Sequence, residues 1–358
     1  MVNKNKGVLV GMSGGVDSSV AAFLLQKEGY EVSGVFIDFI GGEKSERDFQ
    51  KAQEVAKKLN IPIYKLDAVE IFKEKIIDKF VSDYNDGITP NPCVMCNPQM
   101  KFKILIQEAN KKEIIFISTG HYARVRELKI IQSHQSSVIS HQLFVARDSG
   151  KDQSYFLYRL TQEQLGRVIF PLGNYLKSEV RKIAKENNFE IKSQDESQDV
   201  CFISDNDFNK FISEKIENKP GDIVDLADKI LGKHNGLHFY TIGQRKGINL
   251  GGDGPYYVVK KDLLGNKLIV SNNLESELIW RDVFEINNVN WISPELAFPL
   301  EAKVKVRYRN NEEYAIISRK DNEIYEVKLA QKQKAITSGQ SAVFYLENGE
   351  VLGGGIII

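Results

Sequence analysis

The chain has 358 residues, 42% hydrophobic and 27% charged, and its 48 basic and 48 acidic side chains leave a formal net charge of zero. That length exceeds one typical core and predicts roughly two or three domains, while the neutral balance means that any basic surface for an anionic partner must be local. No apolar run approaches the ~20 residues that span a bilayer, the short apolar stretch behind the N-terminal lysines reads as a first strand and not a secretory signal, and three cysteines in so long a chain exclude a disulfide framework. A cytoplasmic location is the default expectation.

The apolar run from Gly7 to Gly11 reads as a strand. It leads through Gly11-Met12-Ser13-Gly14-Gly15-Val16-Asp17-Ser18-Ser19 into an apolar helical pattern from Val20. Strand, glycine turn and helix start together aim free backbone N–H groups and the positive end of a helix dipole at an anion. No lysine closes the turn, so it is not the loop that holds β- and γ-phosphates in P-loop enzymes. Ser-Gly-Gly-x-Asp-Ser instead resembles the pyrophosphate loop of enzymes that adenylate a substrate and release pyrophosphate.

Further along, Glu31 to Ile37 and Ile61 to Leu66 read as strands, and Glu46 to Leu59 and Ile71 to Tyr84 as helices. Thr89-Pro90-Asn91-Pro92-Cys93-Val94-Met95-Cys96-Asn97-Pro98 reads as a rigid proline-rich turn that positions two thiols. Ile114 to Ser118 is a buried strand ending at Thr119-Gly120-His121, and Arg124 to Arg147 looks like an inserted hairpin. Helices are expected over Gln153 to Val168, over Lys177 to Asn187, and from an Asp205 cap to Lys215. The βαβα rhythm predicts an α/β fold, a mostly parallel, doubly wound sheet with its ligand beyond the carboxyl ends of the strands.

From Pro220 the pattern becomes short β segments: Asp222 to Asp225, Leu237 to Thr241, Tyr256 to Lys261 and Lys267 to Ser271. Leu264-Gly265-Asn266 and Asn348-Gly349 signal hairpins. A small β-rich central domain and a C-terminal β-barrel follow, with expected divisions at 1–204, 205–277 and 278–358. Lys303, Lys305, Arg307 and Arg309 alternate with Val304, Val306 and Tyr308, which predicts a basic stripe on one strand face. Such a stripe suits nucleic-acid phosphates or is a plain solvated face, and Gly243-Gln244-Arg245-Lys246-Gly247 has the same two readings.

The Cys-x-x-Cys pair and the distant Cys201 leave three roles open: sulfur transfer through a thiolate and a partner thiol, ligation of a metal or iron–sulfur cluster, or burial as small hydrophobes. The five histidines show no metal-ligand spacing.

Taken in order, several motifs resemble the tRNA-specific 2-thiouridylase family over nearly the whole chain. They are Gly11 to Ser18, Thr89 to Pro92 with Cys96-Asn97 and Lys101-Phe102, Thr119 to Tyr122, Lys151 to Leu157, Val200 to Ile203, Thr241 to Gly247, Val306 to Arg309, and Gly339 to Tyr345. The resemblance implies a pyrophosphate-loop ATPase domain that thiolates the wobble uridine of tRNA. Gly11, Met12, Ser13, Gly14, Gly15, Val16, Asp17 and Ser18 would bind ATP phosphates, with Ile37 and Gly120 at the adenosine. The enzyme would adenylate the uridine C2 oxygen; Cys201 would carry a persulfide that attacks C2, and Cys96 would resolve it by forming a disulfide with Cys201. Asn91, Pro92, Cys93, His121, Lys151, Asp152, Gln153, Arg307, Tyr308 and Gln340 would meet the flipped base or the tRNA. Magnesium is expected with ATP, with Asp17 the one readable ligand. The partners would be tRNA and a sulfur-donor protein, such as a relay carrier or a cysteine desulfurase, with no membrane involved.

One position departs from the family pattern. Cys93 stands where family members carry an Asp with an assigned acid/base role, and a thiol of reference pKa ~8.5 is the poorer base. Either the proton goes elsewhere (Asp199 or water), or Cys93, Cys96 and Cys201 hold a 4Fe–4S cluster with its fourth iron open, or Cys93 is neutral variation. Two other functions share some features: an adenylate-forming synthetase that transfers nitrogen, and an RNA-binding scaffold with a structural nucleotide.

Overall fold

The first strand, Gly7–Gly11 (β1), buries Val8, Leu9 and Val10 completely, because it lies at the centre of a sheet covered on both faces. The computed structural model describes residues 7–133, 136–189, 200–203, 207–251, 255–273, 279–293 and 296–358. Val8 and Val10 face a core shared with helices Val16–Lys27 (α1) and Gly42–Leu59 (α2), whereas Leu9 faces Leu105, Ile106 and Ala109 on the other side. Each such apolar side chain stabilises the layer by roughly 1.5–3 kcal/mol. Glu31–Asp38 (β2) and Ile63–Asp67 (β3) extend the sheet in one direction. The chain then returns to the other side of β1 as Phe116–Ser118 (β4) and ends the sheet with the short Val168–Ile169, so that all pairings are parallel. The order reverses between β1 and β4, and a crevice opens at the carboxyl ends of these two strands.

The proline-rich segment is a correction to the expected turn. Asn91 has extended dihedrals and Pro92 opens an α-helix, Pro92–Cys96 (α3), where its missing N–H is no loss. The helix continues through a π-helical stretch, Asn97–Phe102, into Lys103–Lys111. Pro98 sits in that stretch, where the widened turn accommodates a residue that cannot donate to the ladder. The expected helix over Gln153 to Val168 is also broken, into a 3₁₀ turn at Ser154–Phe156 and a short helix at Gln162–Arg167 capped by Thr161. Lys177–Glu186 (α4) forms as expected. Asp205 lies outside the described residues; the helix Phe208–Ser213 is capped by Asp207, whose carboxylate accepts from the Lys210 N–H at 2.9 Å.

The central region is a four-stranded sheet of Gly221–Val224, Ile230–His234, Tyr257–Asp262 and Lys267–Ser271, and Leu237–Phe239 is a 3₁₀ turn where a strand was expected. Trp280–Trp291, Leu300–Lys305, Glu313–Arg319, Tyr325–Lys334, Ser341–Tyr345 and Glu350–Ile357 close into a six-stranded barrel, because the first of them pairs with both the fourth and the last. The hairpin Arg124–Ser133 and Ser136–Phe144 leaves the α/β domain and pairs with the last barrel strand at Glu350 and Val351. The basic alternation stops early: the strand ends at Lys305, and 306–309 form a bend and turn.

Candidate active site

The glycine turn lies in the crevice between β1 and β4. Gly14 has a φ of +76°, and a Cβ there would fall 2.2 Å from the Asp48 carbonyl oxygen of α2, so the loop admits only glycine. Ser18 Oγ accepts from the Ser13 N–H at 3.1 Å and donates to the Gly15 carbonyl at 3.2 Å, which closes the loop on itself. Gly15 caps α1 in an extended conformation without a side-chain hydrogen bond, so the first-turn N–H groups have no capping oxygen. Val16 is half-buried, the Met12 side chain is buried under the turn against Gly34, and Ile37 is half-buried at the end of the neighbouring strand. Gly120, after β4, packs against the first turn of α1 so closely that a Cβ would lie 2.7 Å from the Ser18 nitrogen. The glycine turn, Ile37 and Gly120 thus gather at the carboxyl ends of neighbouring parallel strands, with Met12 buried beneath the turn.

The residue after Gly120 packs on the π-helical stretch that continues the thiol helix. His121 stacks on Phe102 with ring centroids 5.8 Å apart and lies 2.7 Å from Thr119 Oγ1 through Nδ1. Burial, and after it the Lys101 ammonium, hold its imidazole well below the ordinary histidine range, so it is neutral. Cys93 and Cys96, three residues apart on α3, are both half-buried on one face. Burial pushes the Cys93 thiol up to about 11 and the Cys96 thiol up to about 12, against the opposing pull of Lys101. Cys201 is exposed, yet fixed in place: Phe202 packs between Phe72, Phe80 and Phe211 at centroid distances of 5.8, 5.2 and 5.5 Å, and Ile203 is buried beside it. The three sulfurs sense one another electrostatically and are all free thiols. Among the described residues, no group of three or more His, Cys, Asp or Glu side chains is placed to hold a metal ion.

Asn91, Pro92 and Cys93 begin α3, and Gln340 of the barrel donates to the Thr89 carbonyl at 2.8 Å just before them. Gln153 accepts from the Tyr122 N–H at 2.9 Å, and half-buried Lys151 sits on the same loop. Asp152 is turned inward: its carboxylate takes the Ala146 N–H at 2.8 Å and the Ser154 hydroxyl at 2.7 Å, so it holds the loop and offers no free oxygen to a ligand. Arg307 is likewise committed, donating to Thr337 Oγ1 at 2.6 Å and to the Ile242 carbonyl at 3.3 Å. It joins the barrel to the loop at Ile242 in the central region, which removes it from the expected exposed stripe; Lys303 and Lys305 pair with Glu347 and Glu312. Tyr308 packs against Phe156 with the rings tilted and their centroids 4.5 Å apart. Asp199 lies outside the described residues. Three neighbours were given no role in the sequence: Lys101 among the thiols, and Lys177 and Tyr122 at Asp17.

These environments order the thiols by reactivity. Limiting iodoacetamide at pH 8 is expected to alkylate Cys201 before Cys93 and Cys96. Burial raises the Cys201 thiol as well, but its side chain is the exposed one, whereas the rates at the two half-buried thiols should climb only as pH rises toward 11, because only the thiolate reacts. Peptide mapping reads the order, and earlier labelling of Cys96 than of Cys201 would contradict the placement.

Fold and site together define a pyrophosphate-loop ATPase-type α/β domain that carries two β-rich domains. Family models match in series: a tRNA methyl transferase HUP domain over residues 6–205, a tRNA methyl transferase PRC-barrel domain over 209–272, and an aminomethyltransferase β-barrel domain over 281–357. The tRNA-specific 2-thiouridylase MnmA 2 of Thermoanaerobacter sp. strain X514 is 42% identical over 99% of this chain and 98% of its own length. The tRNA-specific 2-thiouridylase MnmA of Coxiella burnetii strain RSA 493 is 40% identical over 99% and 98%. Among solved structures, the U34-tRNA thiolase NcsA of Methanococcus maripaludis with its 4Fe–4S cluster is 18% identical, with a TM-score of 0.36 over 60% of this chain and 65% of that one. The chain belongs to the tRNA-specific 2-thiouridylase family. No helix among the described residues is long and apolar enough to cross a membrane.

Proposed function

We propose that this protein is an ATP-dependent tRNA-uridine 2-sulfurtransferase. The uridine C2 oxygen attacks the α-phosphorus of ATP, pyrophosphate leaves, and C2 is left bonded to an AMP leaving group. The terminal sulfur of a Cys201 persulfide then attacks C2. Cys96 attacks the Cys201 sulfur, the S–S bond breaks toward C2, and a Cys96–Cys201 disulfide remains as AMP departs. Magnesium arrives with the nucleotide. A sulfur-donor protein reloads Cys201 once a reductant has opened the disulfide.

The observation that carries this reading is the Gly120–His121 dipeptide, which packs on the glycine turn through Gly120 and on the thiol helix through the His121–Phe102 stack. One short loop thus joins the phosphate site to the sulfur site. A cysteine with its thiol near 11 is protonated at neutral pH, so Cys93 is a poor replacement for a carboxylate base, and the proton is assigned to water or Asp199. The tRNA contacts are assigned to Asn91–Cys93, His121, Lys151, Gln153, Tyr308 and Gln340, and the domain divisions to 204/205 and 277/278. The tRNA substrate makes the cytoplasm the working compartment.

Pyrophosphate release that depends on tRNA tests the activation step. Release from ATP is expected on adding tRNA bearing a wobble uridine, and not with ammonia alone. Release with ammonia and no tRNA would instead favour a nitrogen-transferring synthetase, and no release under either condition would favour a scaffold.

A further inference from the structure

Lys177 opens α4, 160 residues beyond Asp17, and its ammonium stands 2.7 Å from each oxygen of the Asp17 carboxylate. The Tyr122 hydroxyl donates to the same Oδ1 at 2.8 Å. The lysine side chain is only 12% exposed and that of Asp17 is 35% exposed. The Lys177 backbone is fixed separately, its N–H donating to Asp148 at 2.8 Å, so the side chain can swing while its root stays in place.

An acidic residue in the first turn of α1 is already favoured by the helix dipole, so Asp17 needs no lysine to hold it there. Enclosed ion pairs also add little net stability over apolar contacts of the same size. The loop does, however, present its uncapped N–H groups beside Asp17, and an incoming phosphate would meet that negative charge. A cation that can turn from the carboxylate to the phosphate removes the conflict.

We propose that Lys177 is a catalytic residue of the nucleotide site. It neutralises Asp17 while the loop is empty and engages the β- and γ-phosphates when ATP binds. As the uridine oxygen bonds to the α-phosphorus, the bond from that phosphorus to the β-bridging oxygen breaks, and its electron pair leaves on pyrophosphate. The Lys177 ammonium meets the growing charge. This assignment rests on the glycine turn being the ATP loop.

Binding of inorganic pyrophosphate in magnesium-free buffer, measured for wild type, Lys177→Met and Asp17→Asn, separates this role from a structural ion pair. Lys177→Met should weaken binding at least tenfold, whereas Asp17→Asn, which releases the lysine, should tighten it severalfold. In tRNA-dependent pyrophosphate release, Lys177→Met should lower kcat by about 100-fold, and Lys177→Arg should recover part of that loss. Equal weakening by Lys177→Met and Asp17→Asn, or Lys177→Met turnover within twofold of wild type, overturns the proposal. Should Lys177→Met fail to fold, Asp17→Asn decides alone, because weakened binding in that variant also overturns it. Wild type that binds neither ATP nor pyrophosphate would strike the ATP-loop reading itself, a result distinct from either variant's.

Discussion

Cys201→Ala is expected to lose 2-thiolation of tRNA by on the order of 10⁴-fold or more, while tRNA-dependent pyrophosphate release persists. The expectation follows from how the residue is held. Cys201 is exposed, and its placement comes from Phe202 in the aromatic cluster and from buried Ile203, not from the sulfur. Removing the thiol leaves both anchors, so the loop stays in place and only the sulfur carrier is missing. Cys96→Ala should behave differently under the proposed chemistry. Transfer begins but cannot finish, and a covalent enzyme–tRNA species that dithiothreitol cleaves should accumulate. Denaturing gels of both variants with tRNA, ATP and a sulfur donor read the outcome. Persistent thiolation in Cys201→Ala would sink the persulfide scheme, and the absence of an adduct in Cys96→Ala would remove the resolving role.

The parallel sheet was legible because strands buried on both faces read as continuous apolar runs, and Val8 to Val10 is such a run. The glycine turn was legible because its residues are consecutive. What the sequence concealed depends on partners far along the chain. The prolines of Thr89 to Pro98 were read as breakers, yet Pro92 opens a helix and Pro98 lies in a π turn, a position chosen by the packing of Asn97 and Pro98 against Phe156 and Gln164. The basic alternation from Lys303 is genuine sequence periodicity, but strand pairing stops at Lys305 opposite Val343, and Arg307 turns to the loop at Ile242. The inward turn of Asp152, held by two backbone N–H groups and a hydroxyl, was not readable from its place in the motif. Lys177 carried no local signal, since its partner is 160 residues away.

Gly14→Ala is expected to reduce ATP binding at least tenfold and to destabilise the α/β domain by more than backbone strain explains. The φ of +76° disfavours any Cβ by roughly 1–2 kcal/mol. Beyond that, the new methyl would meet the Asp48 carbonyl at 2.2 Å, and a backbone carbonyl inside α2 cannot rotate aside as a side chain can. Either the loop moves off α2, carrying its N–H groups away from the phosphates, or α2 moves off the sheet and opens the core at Val55 and Ala56. Gly29→Ala supplies the comparison, because its φ of +85° imposes similar strain with nothing within 4 Å of the new Cβ. The loss in thermal midpoint for Gly14→Ala should exceed that for Gly29→Ala, and only Gly14→Ala should lose ATP, as measured by calorimetry and nucleotide titration of the two variants. Equal midpoints with ATP binding retained in both would show that the loop tolerates a side chain at Gly14, and that close approach to α2 does not shape the phosphate site.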